Sequence, residues 1–240
     1  MTTLYFEAQD EDDFRKIGFS KDGKFQNPQI MLGLLVGKRG YPIGYELFKG
    51  NTFEGKTLIP VLEKFQDKFN LAKPIIIADS GLLSKKNIDL LKEKGYEYII
   101  GARVKNETDL IKKKILNLEL NSNKDITYID KSKDERLIIT YTQNRAKKDE
   151  YNRKKGLKRL EKRVSSGKLT KENINNRGYN RYLILKDNIE VEIDYKRFEE
   201  DSKWDGLKGY ITNTSLPAKE VVQNYNNLWQ ICKCGFRFAT

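Results

Sequence analysis

Pro74-Ile75-Ile76-Ile77-Ala78-Asp79-Ser80-Gly81 decides how the chain is read. A short, continuous run of β-branched apolar residues suits a strand buried on both faces, as in a parallel sheet. The run breaks at Asp79, so the carboxylate leaves the core at the carboxyl end of the strand. Open α/β sheets hold their ligands at such an end, and Gly81 gives the following turn freedom. The plainer reading is an aspartate that caps this turn. Downstream, Ser84 stands where it would cap a helix over 85–94, Gly95 closes it, and 96–101 forms the next strand. A strand–helix–strand unit of this kind predicts parallel pairing and a right-handed crossover.

Upstream, residues 2–7, 30–36 and 42–48 read as three strands, the last two joined at 37–40 into an antiparallel hairpin. Leu58, Val61, Leu62, Phe65 and Phe69 recur at helical spacing. They predict a helix over 58–69, with Thr57 as its cap and Pro60 in its first turn.

From 106 to 203 the texture changes. A helix over 108–118 leads into strand-like pieces at 126–129, 136–142, 182–186 and 190–193. Among them lies the stretch 145–163, where ten Lys and Arg residues face only Asp149, Glu150 and Glu161. We read 106–203 as a β-rich subdomain with a basic helix, inserted between 1–105 and 204–240. A strand over 210–213 follows, then a helix capped by Ser215 in which Val221, Tyr225, Leu228 and Cys232 share one face. Arg145, Lys148, Lys155, Arg159 and Arg163 are the candidates for a groove that takes DNA phosphates. The competing reading is a solvated outer helix face. Trp204 has the chemistry to stack on an unpaired base, but a lone tryptophan more often belongs to a core.

Composition bounds the function. The 240 residues suffice for one large domain or two small ones, and 38% hydrophobic content can supply a core. A net charge of +12 points to an anionic partner, nucleic acid first. A coding bias toward Lys and Asn would produce the same surplus. Cys232 and Cys234 are too few for a disulfide framework, and with no His in the chain a zinc site lacks ligands. They read as reduced thiols in a cytoplasmic protein. No run approaches the ~20 apolar residues of a membrane span, and no secretion signal opens the chain.

Seven blocks stand in a telling order. They are Thr2-Thr3-Leu4-Tyr5-Phe6-Glu7, Gly18-Phe19-Ser20-Lys21-Asp22-Gly23-Lys24, the stretch 41–52 ending in Gly50-Asn51-Thr52, Ala78-Asp79-Ser80-Gly81, Trp204-Asp205-Gly206, Thr212-Asn213-Thr214, and 225–229. In sequence and order they resemble the DDE insertion-sequence transposases, from residue 2 to about 237. The resemblance implies a ribonuclease-H-like fold, an α/β mixed sheet flanked by helices, with the opening strand central and a β-rich insertion before the last catalytic helix. It implies phosphoryl transfer on DNA: strand hydrolysis, then attack of the freed 3′-hydroxyl on target DNA. Two Mg²⁺ (or Mn²⁺) ions held by three carboxylates would serve that chemistry. Asp79 matches the second carboxylate, as a catalytic and metal-holding residue, and Tyr225 and Arg237 match positions at the DNA. The implied partners are DNA and either a second copy of the chain or an intact transposase subunit; no membrane is implied.

Departures from the family pattern matter as much. The first Asp of the family directly precedes the opening strand, and Met1 occupies the position just after it. Aligned on Tyr225, the place of the final Glu holds Cys232; aligned on Phe236-Arg237, it holds Lys233. Neither is a carboxylate, and a thiolate is a poor partner for Mg²⁺. The expectation is a truncated or degenerate transposase catalytic domain, inactive alone. A non-catalytic DNA-binding or inhibitory fragment, and a different metal nuclease of the same fold, stay open.

Overall fold

Three strands open the chain: β1 (Thr2–Tyr5), β2 (Gln29–Val36) and β3 (Pro42–Lys49). They are seen in a computed structural model that describes residues 2–8, 10–18, 23, 25–36, 42–52, 54–70, 73–79, 85–120, 122, 125–167, 169–186 and 190–227. The chain falls into two compact units, one of Met1–Ala102, Lys131–Arg136 and Tyr210–Thr240, the other of Arg103–Asp130 and Leu137–Gly209.

In the first unit the three opening strands form an antiparallel sheet, with Thr3 opposite Met31 and Met31 opposite Phe48. Among the described residues β1 lies at the edge of this sheet, not at its centre, because its four residues ladder onto β2. A bridge joins Lys16 to Gln29, each amide donating to the other's carbonyl at 3.0 Å. Gly50 presses on that bridge. A Cβ there would stand 1.9 Å from the Gln29 carbonyl oxygen and 2.5 Å from that of Lys16, so only glycine fits. The Gln29 side-chain amide donates to the Gly50 carbonyl at 2.8 Å. The glycine of Gly50-Asn51-Thr52 is thus fixed by backbone packing.

The next helix, α1 (Glu54–Phe69), starts four residues earlier than the apolar spacing predicts. Thr57 is inside it rather than its cap, and Pro60 is interior rather than in the first turn. The periodicity begins only at Leu58, whereas residues 54–57 join the helix without contributing to it. Then β4 (Ile76–Ala78), α2 (Lys85–Glu93) and β5 (Tyr98–Ala102) form the expected unit. The two strands are parallel, with Ile76 opposite Tyr98 and Ala78 opposite Ile100. Gly95 ends α2 at φ +68°. Its amide donates to the Lys92 carbonyl and that of Tyr96 to Leu91, the Schellman pattern. Ser84, the expected cap, lies outside the described residues. Ile59, Leu62, Ile76, Ala78, Leu91, Tyr96, Tyr98 and Ile100 make the core from which Asp79 emerges.

In the second unit a turn at Val104–Asn106 precedes α3 (Asp109–Leu116); Thr108, read from sequence as its first residue, is its cap instead. The strands β6 (Asp125–Ser132) and β7 (Glu135–Tyr141) follow, then the basic helix α4 (Gln143–Ser165). An antiparallel pair, β8 (Leu183–Lys186) and β9 (Glu190–Ile193), comes next. The helix α5 (Tyr195–Ser202), capped by Asp194, has no counterpart in the sequence reading, since Phe198 is its one buried residue and gives no periodicity. Leu160 of α4 packs with Tyr182, Leu183, Val191 and Phe198. Arg153 enters this core. Its Nη2 donates to Asp205 at 2.6 Å, and its guanidinium lies 4.8 Å from the Phe198 ring centre.

Two elements complete the chain: β10 (Leu207–Thr212) and α6 (Ala218–Asn226). The cap position of α6 is Pro217, not Ser215. Leu216-Pro217 explains the shift, because a proline drives the residue before it out of the helical region. The sheet order β4-β5-β10-β7-β6 gives a five-stranded mixed sheet flanked by helices, the α/β arrangement the sequence implies. The strands β6, β7 and β10 each carry residues of both units. No helix among the described residues is long and apolar enough to cross a membrane.

Candidate active site and basic helix face

The strand β4 delivers Asp79 as predicted: Ala78 is buried and Asp79 is exposed. On α6 the Tyr225 hydroxyl lies 3.5 Å from Asp79 Oδ1, the outer limit of a hydrogen bond. Tyr225 is half-buried and packs edge-on against Tyr210, with ring centres 4.8 Å apart at 67°. Burial, and after it the charge of Asp79, push the Tyr225 phenol up to about 12. At neutral pH it therefore keeps its proton and donates to the carboxylate.

Thr212-Asn213-Thr214 fixes the approach to α6. The Asn213 side chain accepts the Tyr98 amide at 2.7 Å and donates to the Tyr96 carbonyl at 3.0 Å. The buried Thr212 hydroxyl donates to the Tyr98 carbonyl at 2.7 Å and accepts the Thr214 amide at 3.1 Å. Arg136 donates to the carbonyls of Thr214 and Leu216. Fully buried Val221 then anchors the helix that carries Tyr225. The family resemblance makes this block part of the approach to the last catalytic acid; the partners of Asn213 lie more than 110 residues away, beyond any local pattern.

Below this clamp, the Tyr98 hydroxyl donates to Glu135 at 2.5 Å, and Lys92 stands 3.1 Å from the same oxygen. Burial, and then the Glu135 bond, hold the Tyr98 phenol far above its usual range. Burial works to raise Glu135 as well, but the hydrogen bonds from Tyr98 and Lys92 outweigh it and keep that carboxyl below its ordinary value.

On α4, in the second unit, Arg145, Lys148, Lys155, Arg159 and Arg163 are all exposed. At 100° per residue they fall within one quadrant of the helix, over a length of about 27 Å. Arg145 pairs with Asp149 at 3.4 Å, and Lys155 stands 5.7 Å from the Tyr151 ring centre. Arg153, which the same stretch contains, belongs to the core instead. Trp204 is half-buried.

The family model described as "Transposase DDE domain" matches residues 3–231. The chain belongs to this family. No curated protein and no solved structure matches it significantly. The order of elements agrees with the ribonuclease-H-like fold of a DDE domain, and DNA transposition is the business of the family.

DDE transposases generally use divalent ions. Among the described residues no three Asp, Glu, Cys or His side chains gather into a metal site. Asp79 has the Tyr225 phenol beside it, and a single carboxylate does not make the clamp that two cations need. The described residues therefore do not fit the ions the family implies. Leu228, Cys232, Lys233 and Arg237 lie outside the described residues.

Proposed function

We propose that this chain is the catalytic domain of a DNA transposase in which Asp79 is a catalytic, metal-holding acid, and that these 240 residues alone do not cleave DNA. The reaction of the domain is DNA strand cleavage and transfer. The observation that carries the reading is the position of Asp79, exposed at the end of β4 and 3.5 Å from the Tyr225 hydroxyl of α6. A carboxylate at a strand's carboxyl end, met by the closing helix, is what a family with catalytic acids on both elements requires. Incompleteness is supported by the lack of an acidic cluster among the described residues and by Cys232 or Lys233, according to the alignment, at the place of the final acid. We divide the chain into core segments 1–105 and 204–240 and an insertion 106–203, in a cytoplasmic protein.

A second reading, a non-catalytic fragment that binds DNA or pairs with an intact transposase subunit, is favoured by the basic face of α4. Arg145, Lys148, Lys155, Arg159 and Arg163 would meet DNA there, with Tyr225 and Arg237 as further contacts. Nicking and strand transfer in Mg²⁺ or Mn²⁺, with the chain and Asp79→Ala side by side, test whether the site is competent; equal inactivity with salt-dependent DNA binding favours the second reading. We expect salt-dependent DNA binding by both proteins and cleavage by neither. Cleavage by the chain that Asp79→Ala abolishes would restore a competent site and sink the incompleteness.

A further inference from the structure

Arg159 and Arg163 on α4 and Arg177, just before the turn Gly178–Tyr182, converge on one solvent-open cavity of about 430 Å³. Gly156, Leu160, Gly178, Tyr179 and Asn180 complete its lining, and no carboxylate is among them. The floor of the cavity is built from both elements. Gly156 lets the Tyr179 ring pack directly on α4, since a Cβ there would stand 2.0 Å from a ring carbon. The Tyr179 hydroxyl donates to the Asn152 carbonyl at 2.7 Å, tying the ring to the helix. Arg163 donates to Asn180 at 3.1 Å, which orients its guanidinium. No ion pair among the described residues holds Arg159 or Arg177.

We propose that this cavity seats a backbone phosphate of duplex DNA. The inference rests on the reading of α4 as a DNA-contacting helix and deepens it, because Arg177, Tyr179 and Asn180 lie outside α4. Three guanidiniums without a carboxylate repel one another until an anion joins them, and arginine offers phosphate several N–H donors in a fixed fork. The anion is part of a polymer. Lys148 and Lys155 continue from the cavity along the same face, Lys148 about 16 Å away at 1.5 Å per residue. The cavity itself is wide, with a floor of ring and glycine.

Anisotropy of a labelled duplex, titrated at several salt concentrations, tests this with the full chain. Arg177→Gln is expected to lower the slope of log affinity against log salt by about 0.9 and weaken binding roughly eightfold at about 0.1 M salt. Arg159→Gln/Arg163→Gln/Arg177→Gln is expected to lose far more than the charge-matched Lys147→Gln/Lys154→Gln/Lys158→Gln, whose positions lie on another face of α4. Equal losses in the two triple variants would reduce the effect to general charge and overturn the cavity. If Arg177→Gln binds like the parent while Arg145→Gln/Lys148→Gln/Lys155→Gln does not, the cavity fails and the α4 reading stands. If the parent shows no salt-dependent duplex binding, both fall. All the altered side chains are exposed, and circular dichroism of each variant checks the fold.

Discussion

Replacing Asn213 by Ala asks whether the Thr212-Asn213-Thr214 block holds α6, and with it Tyr225, against the sheet. The side chain makes two bonds to backbone, accepting the Tyr98 amide at 2.7 Å and donating to the Tyr96 carbonyl at 3.0 Å. Alanine leaves both partners unmade, at about 1–3 kcal/mol for each buried group. Asn213 is half-buried, so water reaches part of the site, and the expected total is about 3 kcal/mol, in the lower part of the roughly 2–6 kcal/mol that two such groups span. For a chain of this size that lowers the melting temperature by about 6–12 °C. Equilibrium urea unfolding followed by far-ultraviolet circular dichroism measures the loss. A loss below about 0.5 kcal/mol for Asn213→Ala, the level of an ordinary surface change, would refute the clamp.

Gly50→Ala drives a methyl into the backbone of Gln29 and Lys16 and should destabilise by about 3 kcal/mol or more, read by the same urea titration. Asp205→Ala strands the buried Arg153 guanidinium at about 3–5 kcal/mol; adding Arg153→Met should recover part of that loss, and no recovery would show that the pair is not the cause. The Tyr225 phenol is raised in the fold from 10.0 to about 12. Its neutral form therefore adds stability that is fully present below pH 10 and lost as pH rises toward 12. Stability measured across that window should fall more steeply for the parent than for Tyr225→Phe, and parallel curves would count against burial of the phenol.

Much of the first unit was legible because its signals are local. The run 74–78 contains a largely buried strand, Ile76–Ala78, and Gly95 closes a helix whatever surrounds it. Asp79 was legible for the same reason, since the break in an apolar run marks the point of exit. Local signals also misled. Thr57 has the side chain of a cap but sits within α1, and Ser215 lost its place to Leu216-Pro217. The helix α5 escaped because one buried phenylalanine makes no pattern. What stayed hidden was long-range: the bonds of Asn213 to Tyr96 and Tyr98, the seat of Tyr179 on Gly156, and the burial of Arg153, which in sequence looks like any other cation of its stretch.

The short segment Lys131–Arg136 belongs to the first unit although residues of the second flank it on both sides. An exchange of the inserted portion between relatives, cut at 106 and 203 as composition suggests, would carry off Glu135 and Arg136. The Tyr98 phenol would lose its acceptor, and the carbonyls of Thr214 and Leu216 would lose their donor. A chimera that respects the fold must replace those two side chains in kind, so the graft has four seams rather than two.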